Sequence, residues 1–267
     1  MSDLPIQIAV SPRNAAASYS VLGVRVDAVQ IPDVASRMEQ WIFQRDRCRY
    51  IAVTDMHSVM QAQQVEEFMD VLRQADLVVP DGFPLVWLGR RKGFDLKRRV
   101  YGPELMERFC QETASKGYRH FFYGGEPGVA EELADRLAAR FPGMQIAGAY
   151  SPPFRMLTPA EDAEEVSLIN RACADVFWVG LGAPKQERWM FDHRNSLNVP
   201  VLVGVGAAFD FHTGKIPQAP PWLREHGFEW LFRLLQEPRR LWRRYLVCGP
   251  EFVFLVALEL LGLRKSS

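Results

Sequence analysis

The stretch Ala75-Asp76-Leu77-Val78-Val79-Pro80-Asp81-Gly82 decides the fold, because it contains a buried strand and the point where that strand ends. Three apolar residues, two of them β-branched, predict a short buried strand. Pro80 cannot donate a hydrogen bond to a neighbouring strand, and Gly82 allows a sharp turn. Asp81 therefore follows the strand end, where its carboxylate suits either a helix cap or a general base.

Similar strand patterns recur along the chain and alternate with helical patterns. Strands are predicted at 21–26, 50–54, 77–80, 118–123, 144–149, 176–180 and 199–205. Intervening helices of about 10–15 residues indicate a parallel, doubly wound sheet in an α/β fold. The carboxyl ends of such strands form the crevice where ligands bind.

Three segments follow from composition. We expect a loose N-terminal arm at residues 1–18, followed by the α/β domain at 19–216. A helical appendage is predicted at 217–267, and it begins at the Pro-rich boundary 217–221. From residue 227 onward the chain carries seven basic and four acidic residues, a net charge of +3. Pro238 divides the appendage into two short helices.

Overall composition excludes several classes of protein. The 267 residues are 48% hydrophobic, 24% charged and carry no net charge, so no general attraction to nucleic acid is expected. The four cysteines are far apart, which argues against a zinc site or disulfide framework and for a reducing compartment. We expect no signal peptide, and no apolar run reaches the roughly 18 residues of a transmembrane helix.

Small or polar residues follow several other predicted strands. They are Gly124-Gly125, Gly182, Lys185-Gln186-Glu187 and Asp210. The glycines suit phosphate binding at a helix N-terminus, and they equally suit a plain turn. Lys185, Gln186 and Glu187 suit either a polar first helical turn or, through Gln186, a contact to a sugar hydroxyl. No nicotinamide-nucleotide fingerprint and no metal-binding carboxylate pair is present, so neither a cofactor nor a metal is expected.

Arginines and aromatic residues alternate in the appendage. Arg240, Arg243 and Arg244 share one face by their helical spacing. Such a face is typical of a solvent-exposed helix surface, of a helix that binds an anionic membrane surface, or of guanidinium groups that bind a diphosphate.

Taken together, these residues resemble the WecG/TagA/CpsF family of bacterial glycosyltransferases. The resemblance extends over residues 20–247 and rests on the stretches 79–82, 99–102, 123–130, 180–187, 204–210, 229–233 and 237–240. It implies a Rossmann-like sheet and the inverting, metal-independent transfer of a hexose or N-acetylhexosamine from a UDP-sugar. The implied acceptor is a polyprenyl-diphosphate-linked sugar, in cell-surface polysaccharide synthesis.

The resemblance also assigns roles to residues. Asp81 matches the family's proposed general base, and Thr54, Arg99 and Gln186 match its polar active-site residues. Arg233, Arg240 and Arg243 match arginines thought to close over the diphosphate. The remaining substrate-binding candidates are Gly124, Gly125, Gly182, Lys185, Glu187 and Asp210. The family further implies a cytoplasmic protein on the inner face of the cell membrane, an anionic membrane partner and a possible homo-oligomer.

Two departures from the family pattern bear on the sugars. Met56 occupies the usual place of Asn, and Gln218 that of Arg. Other segments look closer to the GumM-type branch, which transfers glucose, so UDP-glucose and UDP-N-acetylmannosamine both stay open as donors. The α/β pattern alone would also suit a nucleotide-binding oxidoreductase, and the basic tail alone a non-catalytic membrane-surface module.

Overall fold

The structure, a computed structural model, describes residues 17–264. Most of the predicted N-terminal arm, residues 1–16, lies outside the described residues. The described strands are β1 (Ser18–Val21), β2 (Val24–Asp27), β3 (Arg49–Thr54), β4 (Leu77–Pro80), β5 (Arg119–Gly124), β6 (Gln145–Tyr150), β7 (Val176–Gly180) and β8 (Val201–Gly204).

Helices connect these strands. They are α1 (Ile31–Gln44), α2 (Met56–Gln64), α3 (Glu66–Gln74), α4 (Phe83–Arg91), α5 (Gly102–Thr113), α6 (Val129–Arg140), α7 (Pro159–Arg171), α8 (Lys185–His193) and α9 (Ala208–Thr213). The C-terminal segment adds α10 (Pro221–Glu225), α11 (Glu229–Gln236), α12 (Pro238–Trp242), a π-helical turn (Arg243–Val247) and α13 (Cys248–Leu260).

The single strand predicted at 21–26 is wrong. The chain instead forms an antiparallel hairpin of β1 and β2, which turns at Leu22 and Gly23, both with positive φ. The apolar alternation correctly indicated extended chain. It continues across the two-residue turn, however, so it does not show that the chain reverses direction there. Asp27 accepts a hydrogen bond from the Val78 amide at 2.8 Å, which fixes the hairpin against β4.

Six of the described strands form one parallel sheet, in the order β4-β3-β8-β7-β5-β6. Helices lie on both faces, and two buried apolar clusters fill the space between them and the sheet. Burial on both faces explains why the central strands are nearly continuous apolar runs. The predicted Rossmann-like, doubly wound α/β fold with a C-terminal helical appendage is confirmed.

The C-terminal helices pack against this sheet domain. Pro238 begins α12 directly after α11 ends, as its ring requires. On α13, Phe252 and Val256 are buried in the same apolar cluster as the hairpin. Glu259 accepts a hydrogen bond from the Leu22 amide at 2.9 Å. The appendage therefore folds back against the hairpin side of the sheet domain.

Candidate active site

Asp81 and Asp55 lie together because β3 and β4 are parallel neighbours. The register pairs Thr54 with Pro80, so the residues after them reach the same edge of the sheet. The Asp81 amide donates to the Thr54 carbonyl at 2.8 Å, which holds the two strand ends side by side. Asp81 is therefore fixed by backbone bonds at the carboxyl edge, where ligands bind in open α/β sheets.

Asp81 belongs to a chain of charged groups that reaches the appendage. Arg99 Nη1 lies 3.3 Å from Asp81 Oδ1, and its Nη2 donates to Glu229, the first residue of α11. Tyr101 Oη donates to the other oxygen of Glu229 at 3.0 Å. The guanidinium of Arg99 also lies 4.0 Å from the centre of the Tyr101 ring.

Asp55 makes a second link to the appendage. Its carboxylate caps α2 by accepting from the Ser58 amide at 3.0 Å, and it also accepts from Arg244 in the π-helical turn. Burial opposes ionisation of Asp55, but the Arg244 charge and the Ser58 bond outweigh it and hold the pKa of Asp55 below its usual value. Arg244 is thus a positive charge held at the sheet edge.

The Asp81 carboxyl is a stronger base than an ordinary aspartate. Its pKa is raised to about 7, mainly by burial and also by the negative charges of Glu229 and Asp55, against the opposing effect of Arg99 and Arg244. A carboxylate with a pKa near neutrality combines a useful ionised fraction with a high proton affinity. Those are the properties of an efficient general base at neutral pH.

Gln186 joins two of the strand-end loops. Its Oε1 accepts from the amides of Gly182 and Gly206 at 3.2 and 2.9 Å, and its Nε2 donates to Glu187 at 2.8 Å. Glu187 is 1% exposed, and burial raises its pKa to about 7. The side chain of Gln186 therefore shapes the loops after β7 and β8, in addition to any contact with a sugar.

Two cavities meet at this edge of the sheet. The strand-edge cavity, of about 1340 Å³, is lined by the loops after β5, β7 and β8, including Gly125, Gly182, Lys185 and Gly206. The appendage cavity, of about 720 Å³, lies between α4 and the C-terminal helices. Their common wall consists of Asp55, Asp81, Tyr101, Arg233 and Arg244.

The predicted site residues divide into four groups by position. Asp81 and Arg233 line both cavities, and Arg99 lines the appendage cavity. The strand-edge cavity is lined by Gly125, Gly182, Lys185, Gln186, Asp210, Arg240 and Arg243. The remaining three, Thr54, Gly124 and Glu187, line neither cavity.

Two of those three lie inside the fold for clear reasons. Thr54 is 1% exposed, and its hydroxyl donates to the Ala52 carbonyl at 3.3 Å within its own strand. Gly124 has φ of +131°, and a Cβ there would lie 2.6 Å from the Gly180 backbone. The glycine is therefore required for the close approach of β5 and β7, and Asp55 takes the place expected for Thr54 beside Asp81.

The predicted site residues did not include Asp55, Tyr101, Glu229 or Arg244, although Arg244 was placed on the arginine face of the appendage. Asp55 carried a usable signal, since it directly follows a strand end as Asp81 does. The pairing of Glu229 with Arg99 and of Arg244 with Asp55 could not be predicted, because these partners lie 130 and 189 positions earlier in the chain. Only folding brings those pairs together.

Two searches of the described residues gave no candidates. Within residues 17–264, no three or more His, Cys, Asp and Glu side chains are grouped so that they could hold a metal ion. In the same part of the chain, no helix has the length and apolar character needed to cross a membrane.

Comparison with known proteins gives consistent matches over most of the chain. The family described as "Glycosyl transferase WecG/TagA/CpsF family" matches residues 19–266. A Bacillus spizizenii N-acetylglucosaminyldiphosphoundecaprenol N-acetyl-β-D-mannosaminyltransferase is 31% identical, over 85% of this chain and 86% of its own. Proteins of the same description from Bacillus subtilis and Staphylococcus aureus strain MW2 are 29% and 26% identical, over 72% and 96% of this chain and 73% and 99% of their own.

Proposed function

Since the chain belongs to the WecG/TagA/CpsF family and is a glycosyltransferase, we propose that it transfers a hexose or N-acetylhexosamine from a UDP-sugar to a polyprenyl-diphosphate-linked sugar. The observation that carries this proposal is the position of Asp81 on the wall shared by two cavities. A transferase for two large substrates needs a base where the acceptor hydroxyl meets the donor's anomeric carbon.

The strand-edge cavity suits the nucleotide sugar. It lies at the carboxyl ends of parallel strands, where glycine loops let a phosphate approach backbone amides. Lys185, Arg240 and Arg243 also line it and supply positive charge. These features favour a UDP-sugar with its diphosphate directed towards the appendage arginines.

The appendage cavity suits the lipid-linked acceptor. Apolar side chains such as Phe83, Trp230 and Val253 line it beside arginines. The buried Nε atoms of Arg224, Arg233 and Arg244 have no hydrogen-bond partner among residues 17–264. These three arginines line the cavity, and guanidinium groups donate charge-assisted hydrogen bonds to the oxygens of a diphosphate.

The reaction follows from these positions. Asp81 removes the proton from the acceptor hydroxyl while that oxygen attacks the anomeric carbon of the donor sugar. The bond from that carbon to the UDP oxygen breaks, and UDP leaves with the electron pair. Attack opposite the leaving group inverts the anomeric configuration. Arg233 and Arg244, on the shared wall, stabilise the developing negative charge, so no metal is required in this proposal.

The relatives' names favour one donor, and the sequence leaves another open. Each of the relatives above is named an N-acetylmannosaminyltransferase with an N-acetylglucosaminyl-diphosphoundecaprenol acceptor. We therefore propose UDP-N-acetylmannosamine and UDP-glucose as the donors to compare first. Met56 lines the appendage cavity next to Asp55, so it contributes to the choice of acceptor.

The appendage surface supports a peripheral position on the inner face of the cell membrane. Large apolar side chains are exposed there, among them Trp222 at 61%, Leu235 at 73% and Phe254 at 62%. Arginines Arg239 and Arg243 are exposed on the same segment. Exposed apolar side chains with interleaved arginines bind anionic lipid surfaces, and a homo-oligomer would cover the same surface away from the membrane.

The test is a panel of donors with a polyprenyl-diphosphate-linked sugar as acceptor. Release of UDP together with extension of the acceptor supports the proposal, and the donor with the highest kcat/KM names the sugar. NMR of the product's anomeric centre distinguishes inversion from retention. Binding to anionic vesicles without turnover of any donor would instead indicate a membrane-surface module.

A further inference from the structure

Glu229 is a buried carboxylate that the appendage inserts into the sheet edge. It is 7% exposed, although it begins a surface helix. Both of its oxygens are bonded to the sheet domain, one to Arg99 and the other to Tyr101 Oη at 3.0 Å. A buried charge that is fully paired across two segments is costly to form, so its position calls for a specific reason.

Glu229 and Asp81 share one guanidinium. Nη2 of Arg99 bonds to Glu229, whereas Nη1 lies 3.3 Å from Asp81, longer than a charge-assisted hydrogen bond of about 2.7–2.9 Å. Arg99 is therefore oriented mainly by Glu229. Asp81 lies beside that ion pair, so the charge of Arg99 stabilises the Asp81 carboxylate only in part.

The charges around Asp81 do not balance. The charged groups that act most strongly on it are the cations Arg99 and Arg244 and the carboxylates Glu229 and Asp55, while Arg233 lies on the same cavity wall without ranking among them. With Asp81 itself, this closest set contains three carboxylates and two guanidinium groups in a partly buried space. Such a cluster retains one proton more readily than a balanced one. If the charge of Glu229 is removed, two cations face two carboxylates, and Asp81 becomes a fully neutralised, weaker base.

We propose that Glu229 is a positioning residue for the sugar transfer: it holds Arg99 from the appendage side and so prevents that guanidinium from neutralising Asp81. The proposal rests on the assignment of Asp81 as the base. It makes the strength of the base depend on docking of the appendage. Asp81 then becomes a strong proton acceptor only when the segment that closes the acceptor cavity is in place.

The first test is the pH profile of the Glu229→Gln variant. Glutamine retains hydrogen-bonding capacity towards Arg99 and Tyr101 but removes the charge. The acid limb of kcat/KM should move to lower pH by roughly one unit, and the maximal rate should fall because Asp81 is a weaker base. Glu251→Gln, the same charge change at an exposed position of α13, should leave the profile unchanged.

The second test follows Asp81 directly by NMR of protein labelled with ¹³C at the aspartate carboxyls. The Asp81 signal is the one absent from Asp81→Asn, and in Glu229→Gln it should titrate at lower pH than in the wild type. If Glu229→Gln does not fold, Glu229→Asp replaces it. This variant keeps the charge but withdraws it from Arg99, so a smaller shift in the same direction is expected.

A folded Glu229 variant whose Asp81 signal titrates as in the wild type would overturn the inference. Because the titration needs no turnover, it tests Glu229 independently of the proposed activity. If the wild type transfers no sugar while the Asp81 signal still shifts in the variant, only the proposed function fails.

Discussion

Arg244, close to the C-terminus, is paired with Asp55, which lies 189 positions earlier at the end of β3. The pair fastens the appendage to the carboxyl edge of the sheet and places a guanidinium on the wall common to both cavities. Asp55 accepts a hydrogen bond from the guanidinium of Arg244 and so holds that group in one orientation. Closure of the site and the proposed recognition of a diphosphate therefore depend on the same contact.

The identity of the base is tested by Asp81→Asn. Loss of the carboxylate should lower kcat by roughly 10²–10⁴-fold, the usual contribution of a general base. The thermal midpoint should not fall, because asparagine has nearly the same shape and no charge to bury. In the wild type, activity should rise with pH through about 7 as Asp81 ionises. Normal turnover by the variant would show that Asp81 is not the base; the helix-cap alternative is already wrong, because Gly82 occupies the N-cap of α4 and no side chain caps that helix.

The role of Arg244 is tested by Arg244→Lys. Lysine keeps the charge opposite Asp55 but lacks the planar pair of donors that matches a diphosphate. Turnover of a short-chain, water-soluble acceptor should fall by roughly tenfold or more, the loss of one or more charge-assisted hydrogen bonds. Arg239→Lys, at an exposed neighbouring position, is the matched control and should behave as the wild type. Equal activities would show that any positive charge suffices at Arg244.

Arg240 and Arg243 present a different case, because both are exposed although they line the strand-edge cavity. If they contact the diphosphate, Arg240→Ala with Arg243→Ala should reduce turnover even on a water-soluble acceptor. Attraction to a membrane surface is worth about 1 kcal/mol per basic residue and weakens with salt. The contrary result is a double variant that loses turnover only when the acceptor is in anionic vesicles, together with the same loss in the wild type when salt is added. That result would show that Arg240 and Arg243 bind the membrane surface and do not contact the diphosphate.

Glu187 provides a prediction about stability. Burial raises its pKa to about 7 in the folded protein, from about 4.5 in an unfolded chain. A raised carboxyl pKa stabilises the folded state at low pH, and this contribution is lost as pH rises from the unfolded to the folded pKa. Glu187→Gln should therefore be close to the wild type at pH of about 5 and more stable at about 8, by up to about 3 kcal/mol.

Urea unfolding of both proteins across that pH range measures the difference. Glu131→Gln, an exposed glutamate at the start of α6, is the control and should show no such pH-dependent gain. A Glu187→Gln variant that loses stability equally at all pH values would mean that the carboxylate itself holds Gln186 and its two loops.

Independence from metal is tested with a chelator. We expect UDP-sugar turnover to continue in EDTA, because the proposed charge stabilisation comes from Arg233 and Arg244. The measurement is the initial rate before and after dialysis against EDTA, with magnesium or manganese added back. A rate that falls in chelator and recovers with either ion would transfer that role from the arginines to the metal.

Local patterns in the sequence determined most of the fold. Apolar strands, glycine turns and Pro238 are read over a few neighbouring residues, so they predicted the parallel sheet, the strand ends and the division of the appendage. The hairpin was missed because apolar alternation continues across its turn, and the turn signal of Gly23 was not used. Asp81 could be singled out for the same local reason, since a carboxylate after a strand end needs no distant partner to be noticed.

The tertiary structure alone decided which charges act on Asp81. Glu229, Arg244 and Tyr101 have ordinary surroundings in sequence, and their importance comes from partners more than a hundred positions away. The tertiary structure also showed that Thr54 and Gly124 lie inside the fold and line neither cavity. Side-chain direction and the spacing between strands depend on the neighbouring strands, which sequence patterns do not give. The physical reason is that burial and charge pairing, which set the strength of the base, are properties of groups in space and not of residues in order.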